Sequence, residues 1–548
     1  MMPGAITPAD ARAFAAGVDA GVMIETLRGF AHWRKLTGTP EELESLRYLQ
    51  GKLDSYGYRT ELLRHEAYVS LPGPARVEVD GVPLTAITHS MSQPSPAGGL
   101  RGRLIDLGEG TEADFAGRDL AGALLMVDGI ASPAAAHRAS RAGAAGTLHV
   151  SPHEHVHEMC ISPVWGSPSA ETVAAMPHTV AVTVSQTDGA ALRARLARGE
   201  APEVVLHAEV DTGWRPIPLL VAELEAPDPT APFILFSGHH DTWYEGVMDN
   251  GAANATMLEV ARLAAPHRAA WKRGLRFCFW SGHSQGRYAG STWYADTHWA
   301  ELEARCAVHV NVDSTGGIGA TVLDEAPSDG ALAGFAAAVL RDELGLPHQG
   351  KRNGRNGDQS FWGIGIPSLF STLSHQPPAP VKMRNPLGWW WHTPQDLLDK
   401  IDPDFLARDT RVYAHAVWRL LTDPVLPLDH AAKAATLLRE LERCETVAVP
   451  LRDLRAQVAA LRDRLAGARL PDAAALRISR ALVPLDYTSG DRFAHDPALP
   501  QPAWPALEPL RALARAEEGS EAARLLTVSA RRARNRVAHA VGQALAVL

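Results

Sequence analysis

Cysteine is scarce: Cys160, Cys278, Cys306 and Cys444 are the only four in 548 residues, and none pair in a CxxC spacing. That argues against a disulfide framework. Two of them lie in apolar, strand-like runs, so all four read as buried free thiols in a reducing compartment. Long apolar runs are missing too. No stretch approaches the ~18–20 residues that a membrane span requires. The opening segment MMPGAITPADARAFAAGVDAG has neither a basic region nor a continuous apolar one, so no secretory leader is expected. No block of basic residues interrupts a net charge of −9, which argues against a nucleic-acid surface. These absences leave a cytoplasmic, enzyme-sized protein as the expectation, with neither membrane nor nucleic acid as a partner. No short-period repeat is present.

The composition is that of a globular protein, 46% hydrophobic and 21% charged, and 548 residues are enough for about three domains. PEELESLRYLQGKLDSYGY, within residues 20–60, has helical spacing and an acidic first turn. From about Tyr68 short strand-like pieces (ARVEVDGVPLTAI, GRLIDLG, GALLMVDG, TVAVTVS) alternate with glycine-rich turns, and AAAHRASRAGAAGTLHV reads as a helix feeding a strand. After Val210 the texture becomes α/β. PFILFSGHHDTW, GLRFCFWSGHS, CAVHVNVDSTG and GIPSLFSTLS each run from a buried strand into a polar loop, with helical segments between them. This alternation predicts a largely parallel sheet flanked by helices. Beyond Pro424 the segments are amphipathic helices. The expected division is 1–67 and 213–424 for an α/β core, 68–212 for a β-rich insertion, and 425–548 for a helical bundle.

Polar groups cluster where the strands end, which in open α/β sheets is where chemistry sits. GHHDTWYEGVMDNGAA offers His239, Asp241 and Asp249. VNVDSTGG offers Asp313, and GWWWHTPQD offers His392. Two histidines and two carboxylates on separate strand ends suit zinc or a similar borderline ion. Asp241 is placed to hold the second ring nitrogen of His239. Each residue also has a plain structural role open to it: a strand cap, an N-cap at Asp249, a turn at Asp313, a histidine buried among tryptophans at His392. It is their order and placement together that point to a metal.

On these motifs the chain resembles the M28 metallopeptidases, the zinc aminopeptidases and glutamate carboxypeptidases, and most closely the three-domain branch that includes the transferrin receptors. His239 with Asp241 and a following tryptophan, then Asp249, is similar to that branch's first motif. VNVDSTGG resembles its third, GDQSFWGIGIPSLF the stretch before its final histidine, and His392 that histidine. The resemblance implies a zinc-exopeptidase-like core, a protease-associated insertion, a C-terminal dimerisation domain and a homodimer. It further implies one or two zinc ions, with His239 and Asp313 holding one and Asp249 bridging to a second on His392. The substrate implied is a small peptide or amide.

One motif departs from the family. Where members carry E-E-x-G, FCFWSGHSQGRYAGSTWY places His283 at the general-base position and Ser284 at the ligand position, with one extra residue before Gly290. Three accounts stand. His283 is itself the base, since a histidine's ordinary pKa of about 6.5 suits the role; or it is a metal ligand; or the site is degenerate and the chain is a transferrin-receptor-like scaffold. Four of the five expected ligands persist, which favours metal-dependent hydrolysis over a scaffold or another metal-assisted reaction on an amino-acid-like substrate. Ser284 would then line the site, and Trp391, with Trp389 and Trp390, either walls the pocket or belongs to the core. Arg355, with Lys351 and Arg352, either captures a substrate carboxylate or belongs to a solvated loop. SPHEHVHEMC, with His153, His155 and His157 on one face if it is a strand, is either a metal site or part of a substrate pocket or, more plainly, a solvated polar edge.

Overall fold

The computed structural model describes residues 10–323, 326–348, 350–378 and 386–548. The fold is mixed α/β, with one large sheet flanked by helices. Its centre is formed by strands Phe233–His239, Gly274–Trp280 and Cys306–Asn311, which are mutually parallel and buried at every position. Such runs form where helices cover both faces of a sheet. On one face lie the N-terminal helices Ala20–Phe30 and Pro40–Ser55, with Ala253–Ala264 and Pro403–Thr422. On the other lie Ala289–Thr297 and Trp299–Arg305, which contribute Tyr294 and Leu302. The helix Pro40–Ser55 starts as its sequence predicts, with Thr39 as N-cap, a proline in the first turn and Glu41 and Glu42 behind it.

Beside Gly274–Trp280 runs a pair of long antiparallel strands, Arg59–Val79 and Val204–Leu224. They carry the chain from the core into the β-rich unit, where Val180–Val184, Gly146–Val150, Leu124–Asp128 and Leu104–Asp106 are parallel. This unit has its own core, including Leu124, Met126, Leu148, Val182 and Leu206. Positions 68 and 212 fall inside the long strands, with Tyr68 opposite Trp214 and Ser70 opposite Thr212. The unit is therefore joined through continuous sheet rather than by linkers.

The C-terminal helices His430–Glu442, Arg452–Leu465, Asp472–Tyr487, Glu508–Arg515 and Glu521–Val547 turn their apolar stripes on one another, around Leu437, Val458, Leu482, Leu510 and Val541. The bundle is tied to the sheet by buried charge. Lys433 Nζ lies 2.6 Å from Asp329 and 3.0 Å from Asp486, and Arg480 donates to the carbonyls of Leu302, Cys306 and Gly365. All four cysteines are free and buried, and no helix among the described residues is long and apolar enough to cross a membrane.

Candidate metal centre

The parallel register fixes the site. His239 is the last residue of its strand and lies opposite Trp280, while Ser237 lies opposite Asn311. The loops after the three strands therefore leave the sheet at one level, bringing His239, His283 and Asp313 together. Asp249 comes from the short π-type turn Val247–Ala252, which includes a cis Asp249–Asn250 peptide. The Asp249 carboxylate stands between two histidines: Oδ1 is 3.0 Å from His239 Nε2, and Oδ2 is 3.0 Å from His392 Nε2. Asp313 Oδ1 is 3.7 Å from the same His239 nitrogen. The four residues read from the sequence as ligands thus converge.

The electrostatics and the hydrogen bonds both fit a cation. Each histidine has its Nδ1 engaged, leaving Nε2 to face the site: His239 with the Asp241 carbonyl (2.8 Å), His283 with Asp358 Oδ2 (2.8 Å) and His392 with the Glu158 carbonyl (2.6 Å). Outer partners of this kind orient metal-binding imidazoles. Burial alone would lower the pKa of His239, but the Asp249 and Asp313 carboxylates outweigh it and hold the group well above the usual histidine range. Burial alone would likewise raise Asp249, yet His239 and His392 hold it far below the usual carboxylate range. His239 Nε2 and Asp249 Oδ1 are buried without a hydrogen-bond partner, even though they are 3.0 Å apart. In this structure they form a close buried ion pair, and an ion at this point would be held by both atoms. His239, His283 and Asp313 each present a ligand atom within 4.8 Å of the others.

These residues lie in a recognisable family segment. Residues 220–417 match peptidase family M28. A probable glutamate carboxypeptidase of Zea mays is 25% identical over 228 residues, 38% of this chain and 31% of the maize protein. Leupeptin-inactivating enzyme 1 of Streptomyces exfoliatus is 26% identical over 217 residues, 37% of this chain and 48% of that protein. The matches therefore span less than half the length of these curated relatives. Among solved structures, a peptidase M28 precursor from Shewanella amazonensis SB2B superposes with a TM-score of 0.62 at 21% identity. That superposition covers 76% of this chain and 97% of the other, and the likeness is one of fold.

Within the M28 segment several expectations need correction. The Asp241 carboxylate does not hold His239, since its Oδ1 is 3.9 Å from Nδ1 and the backbone carbonyl takes that place. Instead the carboxylate accepts the backbone N–H groups of His283 (3.2 Å) and Ser284 (2.7 Å) and the Thr37 hydroxyl (2.9 Å), so it shapes the loop that carries His283. Ser284 is buried with its Oγ unpartnered, and it does not line the cavity beside His283, Asp313 and His392. That cavity, of about 430 Å³, is walled by Trp391, whose ring stacks on His392 at 3.4 Å. Trp390 is core, and Trp389 stacks on His155. Arg355 is not a free anchor in the metal cavity. It donates to the carbonyls of Pro497 (3.0 Å) and Asp496 and lies over Trp165. Arg352 is paired with Asp486.

The His153–Glu158 stretch is neither a strand nor a solvated edge. His155 N–H donates to His153 Nδ1 (3.1 Å), and His153 Nε2 lies 2.9 Å from Nε2 of the buried His157, whose Nδ1 bonds the Trp391 carbonyl. Glu158, pushed up to about 7 by burial, accepts from the Tyr244 hydroxyl, while its backbone carbonyl holds His392. The inserted unit thus clamps the loop bearing His392. Three further residues escaped the sequence reading. Asp358 holds His283. Asp396 accepts the N–H groups of Met248 (2.9 Å) and Asp249 (3.0 Å) and is raised to about 7 by burial. Gln285 bonds Thr37 and the Thr242 carbonyl, pinning the His283 loop. Asp396 was visible four residues after His392, but nothing in periodicity marked Asp358.

Proposed function

We propose that the chain is a metal-dependent hydrolase of a peptide or small amide C–N bond, an M28-type peptidase with a divergent base. The observation that carries this reading is the convergence of His239, Asp249, Asp313 and His392, each histidine oriented through its far nitrogen. His239 and Asp313 would hold one ion and His392 a second, with Asp249 between them. Zinc suits this nitrogen and carboxylate set, and when bound it polarises the scissile carbonyl and lowers the pKa of the attacking water towards 7. Neither His283 nor Ser284 supplies the anionic side chain that the family's second glutamate would, so the second ion should bind more weakly, and a single-ion state belongs to this reading.

His283 takes the proton from the attacking water at Nε2 and passes it to the leaving nitrogen. Asp358 holds Nδ1–H, fixing the tautomer and balancing the charge that the ring acquires. The ring orientation favours a base over a ligand. His283 stacks on His239 with centroids 3.7 Å apart and planes 10° apart. Imidazole lone pairs lie in the ring plane, and two nearly parallel planes at that spacing do not both aim at one ion ~2.1 Å from each nitrogen. The 4.8 Å convergence of His239, His283 and Asp313 favours the second reading, His283 as a ligand. His283→Ala in zinc-supplemented protein separates the two. The base reading expects turnover on a small peptide to fall about 10²–10⁴-fold with metal content unchanged, whereas the ligand reading expects metal and stability to fall together. No hydrolysis by zinc-loaded wild type would leave the scaffold reading in place. The same reading takes the C-terminal bundle as a homodimerisation unit, to be checked by sedimentation.

A further inference from the structure

We propose that Arg287 binds a free carboxylate of the substrate, so that the enzyme takes short peptides ending in an unblocked apolar residue; this rests on the hydrolase reading above. Beside the metal cavity lies a second one of about 560 Å³, lined by residues from the insertion, including Ile130 and Ala134, and by Leu499 of the C-terminal unit. The two cavities share Met159, Arg287, Gly354 and Trp391, so Arg287 stands at their junction. Its guanidinium carbon is 4.8 Å from the centroid of Tyr288, and that ring meets His283 edge-on with centroids 4.8 Å apart. The cation is therefore one aromatic ring away from the proposed base.

Arg287 is also uncommitted. Among the described residues no carboxylate pairs with it, and its Nε is buried without a hydrogen-bond partner. The neighbouring arginines differ, with Arg352 paired to Asp486 and Arg355 engaged by two backbone carbonyls. Burial lowers Arg355 to about 10, with Asp496 opposing the shift and the nearby charge of Arg287 adding to it. A part-buried guanidinium left unpaired is costly, and a carboxylate satisfies its planar fork with two charge-assisted hydrogen bonds. With the scissile amide at the metal centre and the terminal carboxylate on Arg287, the terminal side chain enters the second cavity, among Ile130, Met159, Trp391 and Leu499.

The test uses full-length, zinc-supplemented protein and two probes, Leu-Leu and its C-terminal amide. For Arg287→Gln the KM for Leu-Leu should rise about 10- to 100-fold with kcat nearly unchanged. The KM for the amide should stay within about twofold, and Arg287→Lys should recover part of the loss. Wild type that treats acid and amide alike, or a variant that weakens both equally, would overturn the assignment. Should Arg287→Gln fail to fold, the acid-to-amide ratio in wild type and Arg287→Lys decides the matter. Should wild type hydrolyse neither probe, the hydrolase reading falls, and calorimetric titration with the same pair still judges Arg287. Tighter binding of the acid, lost in Arg287→Gln, sustains the carboxylate site, and equal binding of the two probes overturns it.

Discussion

At the scale of single residues, the proposed chemistry depends on what stands behind His283. Asp358 is fully buried; burial would raise its pKa, but its interaction with His283 outweighs that and holds it below the ordinary carboxylate range. A second hydrogen bond, from the Ser291 hydroxyl at 2.8 Å, fixes its other oxygen. Asp358→Asn keeps the shape but removes the charge that offsets a protonated imidazole. Turnover should fall about 10- to 100-fold with metal content near that of wild type. A drop in metal of the same size would mean that the pair serves ligation instead. The convergence of His239, His283 and Asp313 was legible in the sequence because each follows an apolar strand that ends at one edge of a parallel sheet. Asp358 and Arg287 were not, because their roles arise from packing between segments distant in the chain.

At the scale of elements, the turn Val247–Ala252 is held from outside itself. Asp396 accepts two of its N–H groups, and Ser314 N–H bonds Asn250 Oδ1 at 2.9 Å. Asp396→Ala leaves the Met248 and Asp249 amides without acceptors in a buried setting, a cost of about 1–3 kcal/mol. The expected outcome is a lower melting temperature together with weaker metal retention during dialysis against a chelator. Unchanged retention would show that the turn keeps its shape unaided. The strand–loop–helix course through His283 was predictable from FCFWSGHSQGRYAGS, which reads as a helix starting near Ser291; the helix starts two residues earlier, at Ala289. The tightness of the loop was not: a Cβ at Gly290 would meet the Ser281 carbonyl oxygen at 2.3 Å. The clamp from His153–Glu158 was also illegible, because alternating histidines mimic a strand face and only the tertiary fold turns His157 inward.

At the scale of the whole molecule, buried histidines outside the metal centre predict how stability changes with pH. Burial lowers His65, His309 and His430 from 6.5 to about 4. Between those values the unfolded chain binds more protons than the folded one, so stability falls as pH drops from about 6.5 towards 4. Above that window the three groups have no effect. Each contributes a slope of at most about 1.4 kcal/mol per pH unit. Glu158 and Asp396, raised to about 7 by burial, act in the opposite sense over pH 5–7, so the histidine contribution is read by comparison. The change in melting midpoint from pH 7 to pH 5 should be less unfavourable in His430→Gln than in wild type. An identical change in the two proteins would contradict this. The α/β core and the helical bundle were legible from periodicity, whereas the long strands that join the insertion to the core were hidden by the change of texture near Tyr68. The central claim, that this fold assembles a metal centre from His239, Asp249, Asp313 and His392, is tested most directly by elemental analysis of the purified protein after zinc supplementation. The account predicts at least one transition-metal equivalent per chain in wild type and its loss in His239→Ala. A wild type that remains metal-free, or a His239→Ala protein that retains its metal, would contradict it.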